Sequence, residues 1–310
     1  GTERIYAFPN RASSMLIFNP STNVIDAESI TPGQDGSWQG TPFNCAEPGT
    51  FPCPTDTGQL IWVETDPVRA FILDSQTNQS WSTEFYTDVG TDNDAFRGTV
   101  MAKNVWYFTP FNSQSVLIID PMTGLESSID GLPSNINKWS NGVLSPDGEY
   151  IFCMPFNYMS LLIINTNDNT VDFTSLQVPT AVQGSNLWEG GVLLRNGFIY
   201  GTPYEATTIL KIDPAELSAN FTAVQVDSGW QKWHGGVHAA NGLFYAVPHS
   251  SDSLLVVDPD SDYVLEREND LPSGAAKWSS CVEFGYKLYC IPAEAQSILV
   301  IDLLDSPLPP

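Results

Sequence analysis

Seven times along the chain, a short apolar stretch ends at or near a proline, crosses a few polar residues, and resumes as an apolar run closing on Asp or Asn. The copies are IYAFPNRASSMLIFNP, IWVETDPVRAFILD, WYFTPFNSQSVLIIDP, IFCMPFNYMSLLIIN, IYGTPYEATTILKIDP, FYAVPHSSDSLLVVDP and LYCIPAEAQSILVID. Their prolines are Pro9, Pro67, Pro110, Pro155, Pro203, Pro248 and Pro292, so successive gaps are 58, 43, 45, 48, 45 and 44 residues. Self-similarity at such a period marks an architecture of stacked, mutually burying units. The surplus in the first gap matches a Pro/Gly-rich excursion, NCAEPGTFPCP. It predicts a Cys-bearing loop insertion at about 39–58 within one domain spanning 1–310.

Six copies are preceded by a second pattern, SWQGT, AFRGTV, KWSNGV, LWEGGV, KWHGGV and KWSSCV. Each full unit then predicts four strands. The Trp-Gly-Val strand comes first, followed by a tight turn such as SPDGE or AANGL. The second strand ends at proline, where a missing N–H costs no ladder bond. An LLIID-type strand and a more polar fourth strand follow, joined by turns such as NTNDN whose Asn, Asp and Gly suit φ > 0. A long connection then leads to the next unit. No stretch has helical periodicity. The expectation is an all-β propeller of four-stranded antiparallel blades, with the Trp-Gly-Val strand innermost. Seven blades is the reading, with six blades plus extra terminal strands the alternative, because the first copy lacks its inner strand and the last lacks a clear fourth.

The segment NGVLSPDGEYIFCMPFNYMSLLIINTNDNTVDFTSLQVP (141–179) resembles the YVTN-type repeat of seven-bladed propellers found in surface-layer and cell-surface proteins. SPDGEYIFCMP and LLIINTNDNTV match its cadence. Proline in place of the repeat's Asn, and Trp-x-Gly-Gly before Val, are departures that indicate a divergent branch. The resemblance implies the fold. Its members include adhesins, electron-transfer subunits and lactonases, so it leaves function open.

Charge narrows the partners. With 12 Lys+Arg against 36 Asp+Glu, the formal net charge is −24, which disfavours nucleic acid and anionic membranes. No apolar run approaches the roughly 20 residues of a membrane helix. The opening GTERIYAFPN is no signal peptide, so a secreted protein would already have lost its leader. Among five cysteines, Cys45 and Cys53 bracket the short excursion, and Cys281 and Cys290 face each other across a hairpin in CVEFGYKLYC; both pairs suit disulfides. Cys153 remains as a buried thiol. Sequons occur at Asn78 and Asn220. Together these point to a secreted or cell-surface glycoprotein.

Ligands of propellers gather where the long connections and the second-to-third strand loops meet, at one mouth of the channel. That places there the residues after the inner aromatic (Gln39, Arg97, Ser140, Glu189, His234, Ser279) and those after the prolines (Asn10, Phe111, Phe156, Tyr204, His249, Ala293). Lys138, Lys232 and Lys277, each directly before a Trp, form a predicted positive collar for a carboxylate or sulfate ligand. The repeated tryptophans (Trp38, Trp139, Trp188, Trp233, Trp278) read as packing between blades, with ligand-stacking platforms, Trp188 and Trp233 the candidates, as the functional alternative. All three histidines fall in KWHGGVHAANGLFYAVPHSS. His234 and His238 lie roughly 13 Å apart along one strand, too far to share a metal. Hairpin register puts His234 opposite Pro248 and so beside His249. Asp258-x-Asp260-x-Asp262 fits part of a calcium loop, but its position suits a turn and the distal Glu is missing. No GxSxG, HExxH or phosphate loop occurs.

No complete catalytic set stands out, so the expected function is a non-enzymatic module binding a glycan or extracellular protein, without a cofactor. The alternatives are an enzyme of lactonase, hydrolase or polysaccharide-lyase type, using His234, His249, Glu189, Tyr204 and Arg97, or a structural subunit of an extracellular assembly.

Overall fold

The computed structural model describes residues 4–7, 16–26, 59–65, 68–74, 79–84, 94–120, 123–182, 184–268 and 271–304. Within them the seven repeats become seven antiparallel sheets. The first holds β1 (Ile5–Ala7), β2 (Leu16–Asn19) and β3 (Val24–Asp26), and the second β4 (Gln59–Thr65), β5 (Val68–Asp74) and β6 (Gln79–Glu84). The third holds β7 (Phe96–Ala102), β8 (Val105–Pro110), β9 (Val116–Ile119) and β10 (Glu126–Ile129). The fourth comprises β11 (Trp139–Leu144), β12 (Tyr150–Pro155), β13 (Leu162–Asn165) and β14 (Thr170–Asp172), and the fifth β15 (Trp188–Leu193), β16 (Ile199–Pro203), β17 (Thr208–Asp213) and β18 (Ser218–Gln225). β19 (Trp233–His238), β20 (Phe244–Pro248), β21 (Ser253–Asp258) and β22 (Tyr263–Glu268) form the sixth, and β23 (Trp278–Phe284), β24 (Lys287–Pro292) and β25 (Leu299–Asp302) the last. Each sheet is a meander in chain order, so the chain is a β-propeller. Four sheets carry all four strands, and a single 3-10 turn (Thr180–Val182) is the helical content of the described residues. Cys45, Cys53, Asn78, Gln39, Asn10 and the 39–58 insertion lie outside the described residues.

The chain divides into two compact units, Gly1–Ser134 and Asn135–Pro310. In the second, the inner strands β11, β15, β19 and β23 adjoin in sequence. The tryptophan opening each is at most 1% exposed. Its indole N–H donates to a carbonyl at, or two residues before, the start of the third strand of its own blade: Trp139 to Ser160, Trp188 to Thr208, Trp233 to Ser253 and Trp278 to Ser297, at 2.7–3.0 Å. The rings fill the seams between blades. Trp188 packs with Phe152 and Met154 of the preceding blade, and Trp233 with Tyr200 and Ile209. Burial with a satisfied N–H removes Trp188 and Trp233 as ligand platforms; they are packing elements, as the repeat pattern suggests.

The hairpin turns follow the expected chemistry, with φ > 0 at Gly148, Gly197, Gly242 and Gly285. Cys281 and Cys290 are register partners joined by a disulfide, and Cys153 is a buried thiol outside any disulfide. A less visible device recurs before every inner strand described. The residue two positions ahead of its aromatic is left-handed: Asp94, Asn137, Asn186, Gln231 and Ala276, with φ of 49–60°. That turn aims the next carbonyl at the loop beyond the proline. Lys232 O accepts the N–H groups of His249, Ser250 and Ser251 at 2.9–3.2 Å, and Lys138 O and Leu187 O are wrapped in the same way.

Left-handed backbone costs a residue with a Cβ about 1–2 kcal/mol. Ala276→Gly is therefore expected to stabilise the fold by about 1 kcal/mol. Gly236→Ala should do the reverse, because its methyl group would land on the Phe244 ring, costing about 1–3 kcal/mol. Chemical unfolding midpoints of both variants check the pair of signs.

Candidate functional site

Every inner strand described opens with a bulge. Register slips between Phe96 and Thr99, Ser140 and Gly142, Trp188 and Gly191, Trp233 and Gly236, and Trp278 and Ser280. In four of the five, a left-handed residue sits two after the aromatic: Gly98, Asn141, Gly190 and Gly235, with φ of 43–92°. A bulge re-aims the side chain it contains. On the five inner strands described, the position after the fixed aromatic holds Arg97, Ser140, Glu189, His234 or Ser279, and all but Ser140, which pairs with Met154, drop out of the ladder. Blades approach closely at this level, since a Cβ on Gly190 would lie 3.3 Å from Gly235 Cα.

In the second unit the freed side chains interact from blade to blade. Ser140 Oγ donates to Trp188 O at 2.9 Å, and Gly190 N–H donates to Ser140 Oγ. Glu189 Oε1 lies 3.7 Å from His234 Nε2; the carboxylate is 3% exposed and the imidazole 31%. His234 Nδ1 is 3.0 Å from Ser279 O. A carbonyl only accepts, so Nδ1 carries the proton, and neutral His234 presents an unprotonated Nε2 to the Glu189 side.

His249 stacks on His234, with centroids 5.7 Å apart and planes at 26°. The expected pairing of the two histidines holds, but the register differs by the bulge: Trp233, not His234, faces Pro248. Tyr204 contributes the third ring, 6.4 Å from His234 and 5.6 Å from His249, and Phe156 packs behind it at 5.9 Å. Burial, helped by the neighbouring His234 and Lys277 and opposed by a Gln231 carbonyl, pulls the His249 pKa down to about 4. His249 is therefore neutral near pH 7. Arg97 belongs to the first unit, where its guanidinium lies 3.7 Å over the Phe111 ring.

The lysine collar is a correction. Lys138, Lys232 and Lys277 are 0–4% exposed. Their ammonium groups donate to the carbonyls of Asn135, Ala206 and Ser251 at 2.7–2.9 Å, Lys277 also to Asp252, and each lies 5.4–5.8 Å from its neighbouring indole centroid. Burial pulls the Lys138 pKa down to about 8. These lysines tie loops to tryptophans and offer no charge to a ligand. The carboxylates of Asp258, Asp260 and Asp262 also diverge. The first accepts from Asp260 N–H and the Ser261 hydroxyl, the second pairs with Arg195, and the third with Lys211 and the Tyr200 hydroxyl. They brace a turn against the preceding blade. Asn220 is exposed on β18, its Oδ1 accepting from Thr222 N–H and hydroxyl.

No family model and no curated protein matches the chain. Solved structures resemble it throughout. Virginiamycin B lyase from Staphylococcus aureus shares 10% identity at a TM-score of 0.69, over 94% of this chain and 88% of that one. A catalytically inactive histidine-to-alanine variant of that lyase with quinupristin shares 12% at 0.70, over 93% and 88%. The extracellular domain of a one-component system from B. thetaiotaomicron shares 11% at 0.65, over 94% of this chain and 36% of that one. These likenesses establish the β-propeller fold.

His249 also predicts an acid response. Its folded pKa lies below the ordinary value of 6.5, so the unfolded chain binds the proton first as pH falls. The stabilisation is complete above about pH 6.5 and is lost as pH drops towards about 4. His249→Asn should flatten the decline in thermal midpoint across that window relative to wild type. The carboxylates with lowered pKa values (Asp147, Asp172, Asp262 and Asp302) act below it.

Proposed function

We propose that the protein is an acid–base enzyme of lyase or hydrolase type, with its chemistry on His234 and Glu189. One observation carries the reading: a nearly buried carboxylate stands 3.7 Å from the nitrogen of a histidine whose other nitrogen is bound to a backbone carbonyl. His234 Nε2 takes a proton from a substrate carbon, whose electron pair expels the leaving group, or from a water that attacks the scissile centre; the imidazolium, stabilised by Glu189, then gives the proton to the departing group. That distance exceeds a direct hydrogen bond, which leaves Nε2 open to substrate before transfer. His249 stays neutral and, with Tyr204, walls the site with flat, weakly polar surface. The lyase neighbour made inactive by loss of one histidine supports placing the chemistry on histidine in this fold. Burial of the lysine collar disfavours a polysaccharide lyase acting on uronates, whose carboxylates need a cation.

The second reading is a non-enzymatic module that binds a glycan or extracellular protein, and the likeness to an extracellular domain favours it. Under either reading the protein is secreted or at the cell surface and glycosylated at the exposed Asn220. The Cys281–Cys290 disulfide supports that location.

A screen of neutral esters, lactones and oligosaccharides against wild type tests the proposal. For any substrate turned over, His234→Gln should lower kcat by about 10²–10⁴-fold with KM little changed. Glu189→Gln should lower kcat less, by removing the counter-charge. Turnover unaffected by both, or saturable binding without turnover, would favour the binding module.

A further inference from the structure

We infer that Trp230 is the platform on which the substrate of this site stacks a neutral ring, so that it sets specificity without joining the proton transfer. The inference rests on the acid–base reading for where the reacting bond lies. The tryptophans that open β11, β15, β19 and β23 are buried and bonded; Trp230 is 62% exposed. Among the described residues it has no hydrogen-bond or ring partner. Its position, three before the inner-strand tryptophan, is exposed in every blade of this unit and holds Ile136, Ser185 and Ala275 elsewhere. A blade therefore does not need an aromatic there, and packing does not account for one.

Its location is fixed by backbone bonds. Lys232 N–H donates to Tyr204 O at 2.8 Å, and Ser250 N–H donates to Gln231 O at 3.0 Å. Trp230 thus immediately precedes a residue bonded to the neighbour of His249, and stands two before one bonded to Tyr204. Gly229 closes the loop onto the Lys232 stem, since a Cβ there would lie 2.9 Å from Lys232 Cγ and Cδ. The backbone is held while the indole remains in solvent, which is the arrangement of a pre-placed stacking face.

Charge selects the ligand. The molecule carries −24 overall, and the three lysines near this end of the blades are consumed internally. Polyanions are disfavoured. A neutral molecule presenting the C–H face of a pyranose, or an aromatic ring, fits.

Titration of wild type, Trp230→Ala, Trp230→Phe and His234→Gln with cellohexaose, N-acetyltyrosine ethyl ester and polygalacturonate, read by calorimetry, tests this. The expected result is saturable binding of one neutral probe, weakened about tenfold or more in Trp230→Ala, kept in Trp230→Phe and kept in His234→Gln. Which probe binds distinguishes sugar from aromatic. No saturable binding of either neutral probe, binding unchanged in Trp230→Ala, or Trp230-dependent binding of polygalacturonate would overturn the inference. Because binding is read without turnover, the stacking claim stands or falls separately from the acid–base claim. Where turnover is measured, Trp230→Ala should raise KM and leave kcat nearly unchanged.

Discussion

One carbonyl ahead of each inner strand described organises this molecule. A left-handed residue ahead of the inner strand turns the next carbonyl into the loop after the proline, where up to three N–H groups converge on it. In the second unit the same inner-strand residue passes its own N–H to the preceding blade: Leu187 to Phe156 O, Lys232 to Tyr204 O and Lys277 to His249 O. Each of these blades is thereby registered against the one before it, ahead of any side-chain contact. The buried indole next in sequence then locks the seam, bonding to its own third strand. Buried backbone groups left unpaired would cost about 1–3 kcal/mol each, so this junction leaves little freedom to slip.

A frame this rigid can spare a position. The bulge after the indole and the residue after the proline lie beside the junction, held by its bonds but outside its packing. In the second unit these two classes supply Glu189, His234, Tyr204 and His249, drawn from β15, β19 and the loops that end β16 and β20. Neighbouring blades therefore share one site, and the identity of each residue can vary without disturbing the fold. The same logic explains why the lysines before the tryptophans are structural. They sit on the frame side of the junction, where their ammonium groups find carbonyls instead of ligands.

The fold was legible because the alternation of apolar strands, turn residues and prolines repeats seven times, and each copy reinforces the others. The Cys281–Cys290 pair followed from counting back from the turn at Gly285. The His234–His249 pairing was legible despite a register in error by the bulge, since both flank the same strand ends. Gly and Asn two after the aromatic were the signal for that bulge, obscured in the last inner strand, where Ser280 takes that place. The lysines misled because sequence shows a charge but not the carbonyl that absorbs it. Left-handed Gln231 and Ala276 gave no signal at all, as neither residue type favours that conformation. Trp230 was hidden among nine tryptophans, and burial alone separates it from those that build seams.

This frame hands His234 a defined tautomer: proton on Nδ1 toward Ser279 O, lone pair on Nε2 beside Glu189. Long-range ¹H–¹⁵N correlation spectra of the three histidine rings, assigned with single His→Gln variants and followed with pH, read the tautomer directly. The expected result is the Nδ1–H tautomer for neutral His234, with the second proton arriving at Nε2. A neutral His234 protonated at Nε2 would contradict it, because that nitrogen could then not act as the base.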